Sequence, residues 1–174
     1  MKKINLLMLI MVLSLVSCGK DKKNSESNNT NISEMVKDKF VLEMDAIYEK
    51  NDSLVVFYEK DGYFDYNKPN SLKVVGSNLP QRILFVLPEN IGAENYKIVV
   101  STNKEQKTLK VLNISVKNDN KLVFDGSNNK FDAFFMTDES FGWDSEKSLY
   151  TLNHSNQYPP ALIGKPELKQ ILIK

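Results

Sequence analysis

Alternation at period two is the feature that most limits how this chain can fold. Phe40, Leu42, Met44, Ala46 and Tyr48 fall on one side of an extended strand, with Glu43, Asp45 and Glu49 on the other. Successive side chains of a strand point to opposite faces, so one face is written for a core and the other for water. The pattern then recurs with turn signals between its runs. Asn51-Asp52-Ser53 leads into Leu54-Val55-Val56-Phe57-Tyr58, and Asp61-Gly62 is a hairpin signal before the aromatic stretch Tyr63-Phe64-Asp65-Tyr66. Residues 71–75 and 82–87 read as further strands, separated by Gly76-Ser77-Asn78-Leu79-Pro80. Tyr96, Ile98 and Val100 alternate cleanly with Lys97 and Ser101.

Over residues 109–116 the apolar phase slips. Leu109 and Val111 keep one register, while Leu112, Ile114 and Val116 keep the other. A one-residue slip would turn half the strand inside out, so a β-bulge is expected near Val111-Leu112. Asn118-Asp119-Asn120 closes a hairpin onto Leu122-Val123-Phe124. Beyond Gly126 the pattern loosens, with a short helix or a bent strand expected over residues 131–135, a strand over 149–152, and a final short helix opened by Pro166. About eight short strands with turn signals every 8–12 residues describe an all-β chain. The expected fold is an antiparallel β-sandwich over residues 35–174, of jelly-roll type first and immunoglobulin-like as the alternative.

The amino terminus carries an address. Met1-Lys2-Lys3 is followed by an apolar run over residues 4–16 and small residues, the make-up of a secretory signal over residues 1–17. The run is too short for a membrane span, which needs roughly 20 apolar residues. Its ending, Leu15-Val16-Ser17-Cys18, resembles the lipobox of bacterial lipoproteins, in which the cysteine thiol receives a diacylglyceryl group. The resemblance implies lipidation of Cys18, attachment to the membrane through that lipid, and residence in the cell envelope at the outer membrane. Residues 18–34 hold one aliphatic side chain, Ile32, among charges, Asn and Ser, and read as a flexible tether. Lys20-Asp21 loosely resembles the charged motif that sends Bacteroidetes lipoproteins to the cell surface.

With Cys18 the sole cysteine, neither a disulfide framework nor a cysteine-based metal site is available. Loss of Lys2 and Lys3 with the signal would leave 21 of the 23 basic residues against 22 acidic ones. That near-neutral balance gives no electrostatic reason to expect nucleic acid as a partner. The sequence also argues against an enzyme. His154 is the only histidine and sits among Asn153, Ser155, Asn156 and Gln157, a stretch that reads as exposed loop. No Gly-rich phosphate loop or histidine cluster occurs, so no cofactor and no metal are expected. The acidic stretches 61–65 and 138–139 have the oxygen chemistry for Ca²⁺ but not a known loop spacing.

Residues 54–116 resemble small lipoproteins of the Bacteroidetes and jelly-roll modules of the carbohydrate-binding type. The likeness rests on a Val-Val-Phe-Tyr strand, Gly76-Ser77, Gln81 before a strand ending Leu87-Pro88, and Asn113-Ile114-Ser115-Val116. Two clusters have the chemistry to hold a sugar. One is Tyr63, Asp65 and Tyr66 just past a turn, and the other is Trp143 within Phe141-Gly142-Trp143-Asp144. Aromatic faces stack on sugar rings while carboxylates and amides bond hydroxyls, and loops on a rigid scaffold are where such sites occur. The expected function is a lipid-anchored module that binds a ligand, most plausibly a glycan, through Tyr63, Tyr66, Asp65 and Trp143. The alternative is a structural or protein-interaction lipoprotein, an accessory subunit or inhibitor with no small ligand, docking an envelope protein on an exposed strand edge.

Overall fold

The structure, a computed structural model, describes residues 39–174; the signal segment, Cys18 and the tether lie outside the described residues. Twelve strands follow in order: β1 (Phe40–Ile47), β2 (Asp52–Lys60), β3 (Tyr63–Phe64), β4 (Asn70–Val74), β5 (Gln81–Val86), β6 (Asn95–Val99), β7 (Thr108–Asn118), β8 (Lys121–Asp125), β9 (Phe135–Thr137), β10 (Phe141–Asp144), β11 (Leu149–Leu152) and β12 (Ala161–Gly164). A 3₁₀ turn covers Lys130–Ala133, and one helix, α1 (Pro166–Leu172), ends the chain. The strands form two antiparallel six-stranded sheets, a β-sandwich as the alternation requires.

The first sheet runs β10-β11-β7-β1-β5, with β8 on the same side of β7 as β11 but further along it. The second runs β3-β2-β6-β12-β9, with β4 beside β3 along β2. β1 and β2 lie in opposite sheets, unlike the immunoglobulin order, where the first two strands are neighbours. The inward residues of β1, all five named from the alternation, are buried. With Phe85, Leu109, Ile114 and Val116 they meet Leu54, Val56, Tyr96, Ile98 and Leu162 of the facing sheet in one continuous core. On the outer face Glu43 pairs with Lys117 at 2.7 Å and Asp45 with Arg82 at 2.9 Å, tying β1 to both its neighbours.

The bulge lies where the phase slip places it. Asp45 stands opposite Asn113 but Ala46 opposite Val111, so Leu112 has no partner on β1. That extra residue lets Leu109, Val111, Ile114 and Val116 all face inward despite the slip. The two hairpin turns also fall at the signalled positions. Asp61 and Gly62 have φ of 52° and 81°, and Asp119 and Asn120 have 47° and 66°, the paired positive angles of a two-residue turn that matches strand twist.

Two strands exceed what the sequence patterning delivers. β10 forms from the Phe141–Asp144 segment that reads as a loop, by pairing with β11. β12 follows Pro159-Pro160 and is only four residues long, yet it fills an interior place between β6 and β9. The open ends of the sandwich are closed differently. At one end α1 buries Leu168 and Leu172 against the core, and Gly164 makes room for it, since a Cβ there would overlap Asn95 Oδ1 and press on Leu168. At the other, the buried Asp52 carboxylate accepts from the Ser53, Thr102 and Asn103 amides at 2.7, 2.8 and 3.0 Å and from the Ser101 hydroxyl at 2.5 Å. Among the described residues no helix is long and apolar enough to cross a membrane.

The bulge makes a sharp expectation about deletions. Removing Leu112 leaves Leu109, Val111, Ile114 and Val116 in strict alternation, so the variant should fold with a urea midpoint near that of the parent. Removing Ser115 instead turns Val116 outward and Lys117 inward, at a cost of about 3–5 kcal/mol, and should collapse the midpoint.

Candidate ligand-binding groove

The site begins with a turn. The Asp61-Gly62 hairpin reverses the chain after β2 and presents Tyr63, which is 80% exposed, at the rim of the sandwich. Asp65 Oδ1 accepts the Asn67 amide at 3.0 Å, an Asx turn that starts the return toward β4. Lys68 and Pro69 follow, and β4 then runs beside β5 of the opposite sheet. β4 and β5 are each paired on one side only, so the seam between the sheets is open there. Asn70 Nδ2 bridges it by donating to Val86 O at 3.0 Å.

Two connected cavities occupy this seam and its rim. The rim cavity, of about 400 Å³, is lined by Tyr58, Lys60, Asp61, Tyr63, Phe64, Asp65, Lys68 and Ile91. The seam cavity, of about 640 Å³, is walled by Tyr58, Lys68, Pro69, Asn70, Ser71, Val86, Pro88 and Ile91. Tyr58, Lys68 and Ile91 belong to both, so the two form one groove. Its dimensions are those of a small-molecule site. Tyr58 stands at the junction and is 5% exposed, yet its hydroxyl has no hydrogen-bond partner among the described residues. The residue is buried as a whole, but its hydroxyl stays accessible from the groove, where water or an occupant can bond it. Lys60 and Lys68 likewise make no ion pair among the described residues.

A charged relay holds the turn in place. Glu94 accepts the Asp61 amide at 2.8 Å through Oε1 and the Gly62 amide at 3.3 Å through Oε2. Lys169 of α1 lies 2.9 Å from Glu94 Oε2 and also bonds Glu59, the last inward-sheltered acid of β2. The Lys169 ammonium, with the two turn amides, holds the Glu94 carboxyl below its ordinary 4.5 against the opposing effect of desolvation. In return, Glu59 and then Glu94 raise the Lys169 ammonium above its ordinary value. The terminal helix, which closes the end of the core, thereby also fixes the rim of the groove.

Of the four residues expected to bind, the structure brings two together. Tyr63 and Asp65 share the rim cavity. Tyr66 lies outside it, on the open face of the second sheet, its ring 5.1 Å from Phe57 and 5.3 Å from Lys97 Nζ. Trp143 stands on β10, the edge of the first sheet remote from β5, its ring 5.0 Å from Tyr150 and 57% exposed. Because β4 lies over β5, the two aromatic clusters flank opposite edges of the sandwich and cannot meet one ligand. Sequence reasoning missed Tyr58, Lys68, Val86, Pro88 and Ile91. They come from four separate segments, and Tyr58 shares the inward phase of the core residues Leu54 and Val56, so no local signal marks them.

His154 lies in an exposed turn, as its neighbours suggest, but its own side chain is sheltered. It is partly buried, and Nε2 lies 2.8 Å from Gln106 O, so that nitrogen carries the proton. Nδ1 is buried with no partner, and no described acid or hydroxyl bonds the ring. Asp138 bonds Ser140 and the Ala161 amide, anchoring β12. The described residues contain no group of three or more His, Cys, Asp or Glu side chains placed to hold a metal. No family model, curated protein or solved structure matches the chain.

The relay predicts a titration. A carboxyl lowered in the folded state stabilises the turn above pH 4.5, and that stabilisation is lost as pH falls through the lowered value. The Asp61 and Gly62 amide proton shifts should therefore titrate together with an apparent pKa under 4.5. Lys169→Met should move that midpoint upward, and Glu94→Gln should abolish it.

Proposed function

We propose that this protein is a lipid-anchored component of the bacterial cell envelope, attached to the outer membrane through Cys18, whose sandwich binds a glycan in the groove beside β4 and β5. It acts as a binding module and performs no chemistry of its own. The observation that carries the reading is Tyr63. A tyrosine left 80% exposed on a clamped turn, beside Asp65, Lys68 and Tyr58, supplies a stacking face next to donors and acceptors for hydroxyl groups. The lipobox-like Leu15-Val16-Ser17-Cys18 supports the anchor and the address. A second reading, docking of an envelope protein, is favoured by β5, which is paired only to β1 and carries the half-exposed Leu84 and Val86 beside its free edge.

The test is a glycan and envelope-polysaccharide array probed with a soluble Cys18→Ser chain. A saturable hit should weaken about three- to tenfold in Tyr63→Ala, the worth of one aromatic contact, with folding unchanged because the side chain is outside the core. Trp143→Ala should leave the same hit intact. A blank array together with stoichiometric cross-linking through β5 would favour the protein partner instead.

A further inference from the structure

The sugar reading uses only half of the groove. The rim cavity carries the charged side chains Lys60, Asp61, Asp65 and Lys68 around Tyr63, beside Tyr58, Phe64 and Ile91. The larger seam cavity shares Tyr58, Lys68 and Ile91 with the rim and adds Pro69, Val86 and Pro88, with Asn70 and Ser71 on the β4 side, so one of its walls is mainly apolar. Ile91 packs on the hydrophobic core, so the seam is a shallow extension of the core left open at one sandwich edge. A sugar could bond only Lys68, Asn70 and Ser71 there, and its hydroxyls gain nothing from the Pro69, Val86, Pro88 and Ile91 side. An alkyl chain has no polar group to satisfy and gains from each methylene it removes from water.

We propose that the groove is built for an amphiphile, a glycolipid, with its sugar against Tyr63, Asp65 and Lys68 and its acyl tail in the seam between β4 and β5. This rests on the reading of the rim as a sugar site and adds the tail. Tyr58 marks the changeover. It lines both cavities, so its ring can form part of the apolar wall while its hydroxyl, bonded by no described residue, is available to a polar group of the ligand. Lys68, which lines both cavities without an ion-pair partner, offers a cation to a head group at the same level. The Asn70 to Val86 O bond across the seam limits how far β4 and β5 can part, so the site suits a narrow chain rather than a fused ring system.

Calorimetric titration of the Cys18→Ser chain with alkyl β-glucosides, methyl through octyl and below micelle formation, tests the proposal. Affinity should climb about fourfold per added methylene while the tail fills the seam, then level off. Ser71→Trp, at an exposed position on the seam wall, should flatten the dependence on chain length and spare the methyl glucoside. Val86→Lys, also exposed, should do the same by placing a charge there, and covers the case in which the tryptophan variant fails to fold. Tyr63→Ala should weaken every member by a similar factor and keep the slope. A slope of zero in the parent protein overturns the tail while leaving the sugar site standing. Equal affinity for an alkyl chain bearing an oligoethylene glycol head would keep the seam and overturn the sugar half. Failure of every member to bind overturns the glycolipid as a whole, and a hit for an unlipidated glycan on the array would then preserve the simpler reading.

Discussion

Two stacked sheets bury one face each, and the structure depends on what happens where that burial runs out. The inward set of β1 and its counterparts on β2, β6 and β7 removes most of the apolar surface from water, which is the dominant stabilising term for a domain of this kind. A sandwich is nonetheless open at two ends and along two seams. Here one end is closed by α1 and the other by loops gathered on the Asp52 carboxylate. The seam on the β9 side is covered by the 3₁₀ turn and by Phe124, Phe134 and Phe135, whose rings lie 4.8–6.2 Å apart. The seam between β4 and β5 is bridged only by side-chain amides at its margins and keeps a cavity of about 640 Å³. Function is assigned to the place where closure is incomplete.

The same closure steadies the rim of that opening. Lys169 projects from the helix that plugs the core and reaches both Glu59 and Glu94, and Glu94 grips the amides of the turn beneath Tyr63. The bonds Glu94 accepts from the turn are exposed and modest by themselves, while the Lys169–Glu59 pair is partly buried. Their value lies in geometry, because a tyrosine held on a two-residue turn loses less freedom on binding than one on a long loop. The aromatic at the rim is thus pre-positioned by an ion-pair chain that starts at Lys169, 106 residues further along the sequence.

Local pattern and long-range pairing divide what could be read in advance. β1, β2, the paired turns at 61–62 and 119–120, and the bulge at Leu112 were all legible, since each follows from side-chain alternation or from residues that accept positive φ. β12 was not, because Ala161-Leu162-Ile163-Gly164 is too short to show a period, and only pairing with β6 and β9 makes it a strand. β10 was hidden by the same effect, its conformation set by β11 rather than by its own residues. The site divides in the same way. Tyr63 and Asp65 announced themselves beside an Asp-Gly turn, whereas Tyr58 looked like core and Val86, Pro88 and Ile91 belong to other strands and loops. Tyr66 and Trp143 have similar chemistry but stand apart from that groove, one on an open sheet face and one on the far edge. Residue type predicts what a side chain can bind, and topology decides with what company.

Nuclear magnetic resonance of the uniformly ¹⁵N-labelled protein, titrated with a solubilised envelope glycolipid fraction, tests the central claim most directly. The account predicts saturable amide shifts confined to residues 58–71 and 86–92, on both sides of the β4–β5 seam, with residues 141–150 unmoved. Shifts centred on Trp143 and the β10–β11 hairpin, or none at the seam while the fraction binds elsewhere, would contradict it.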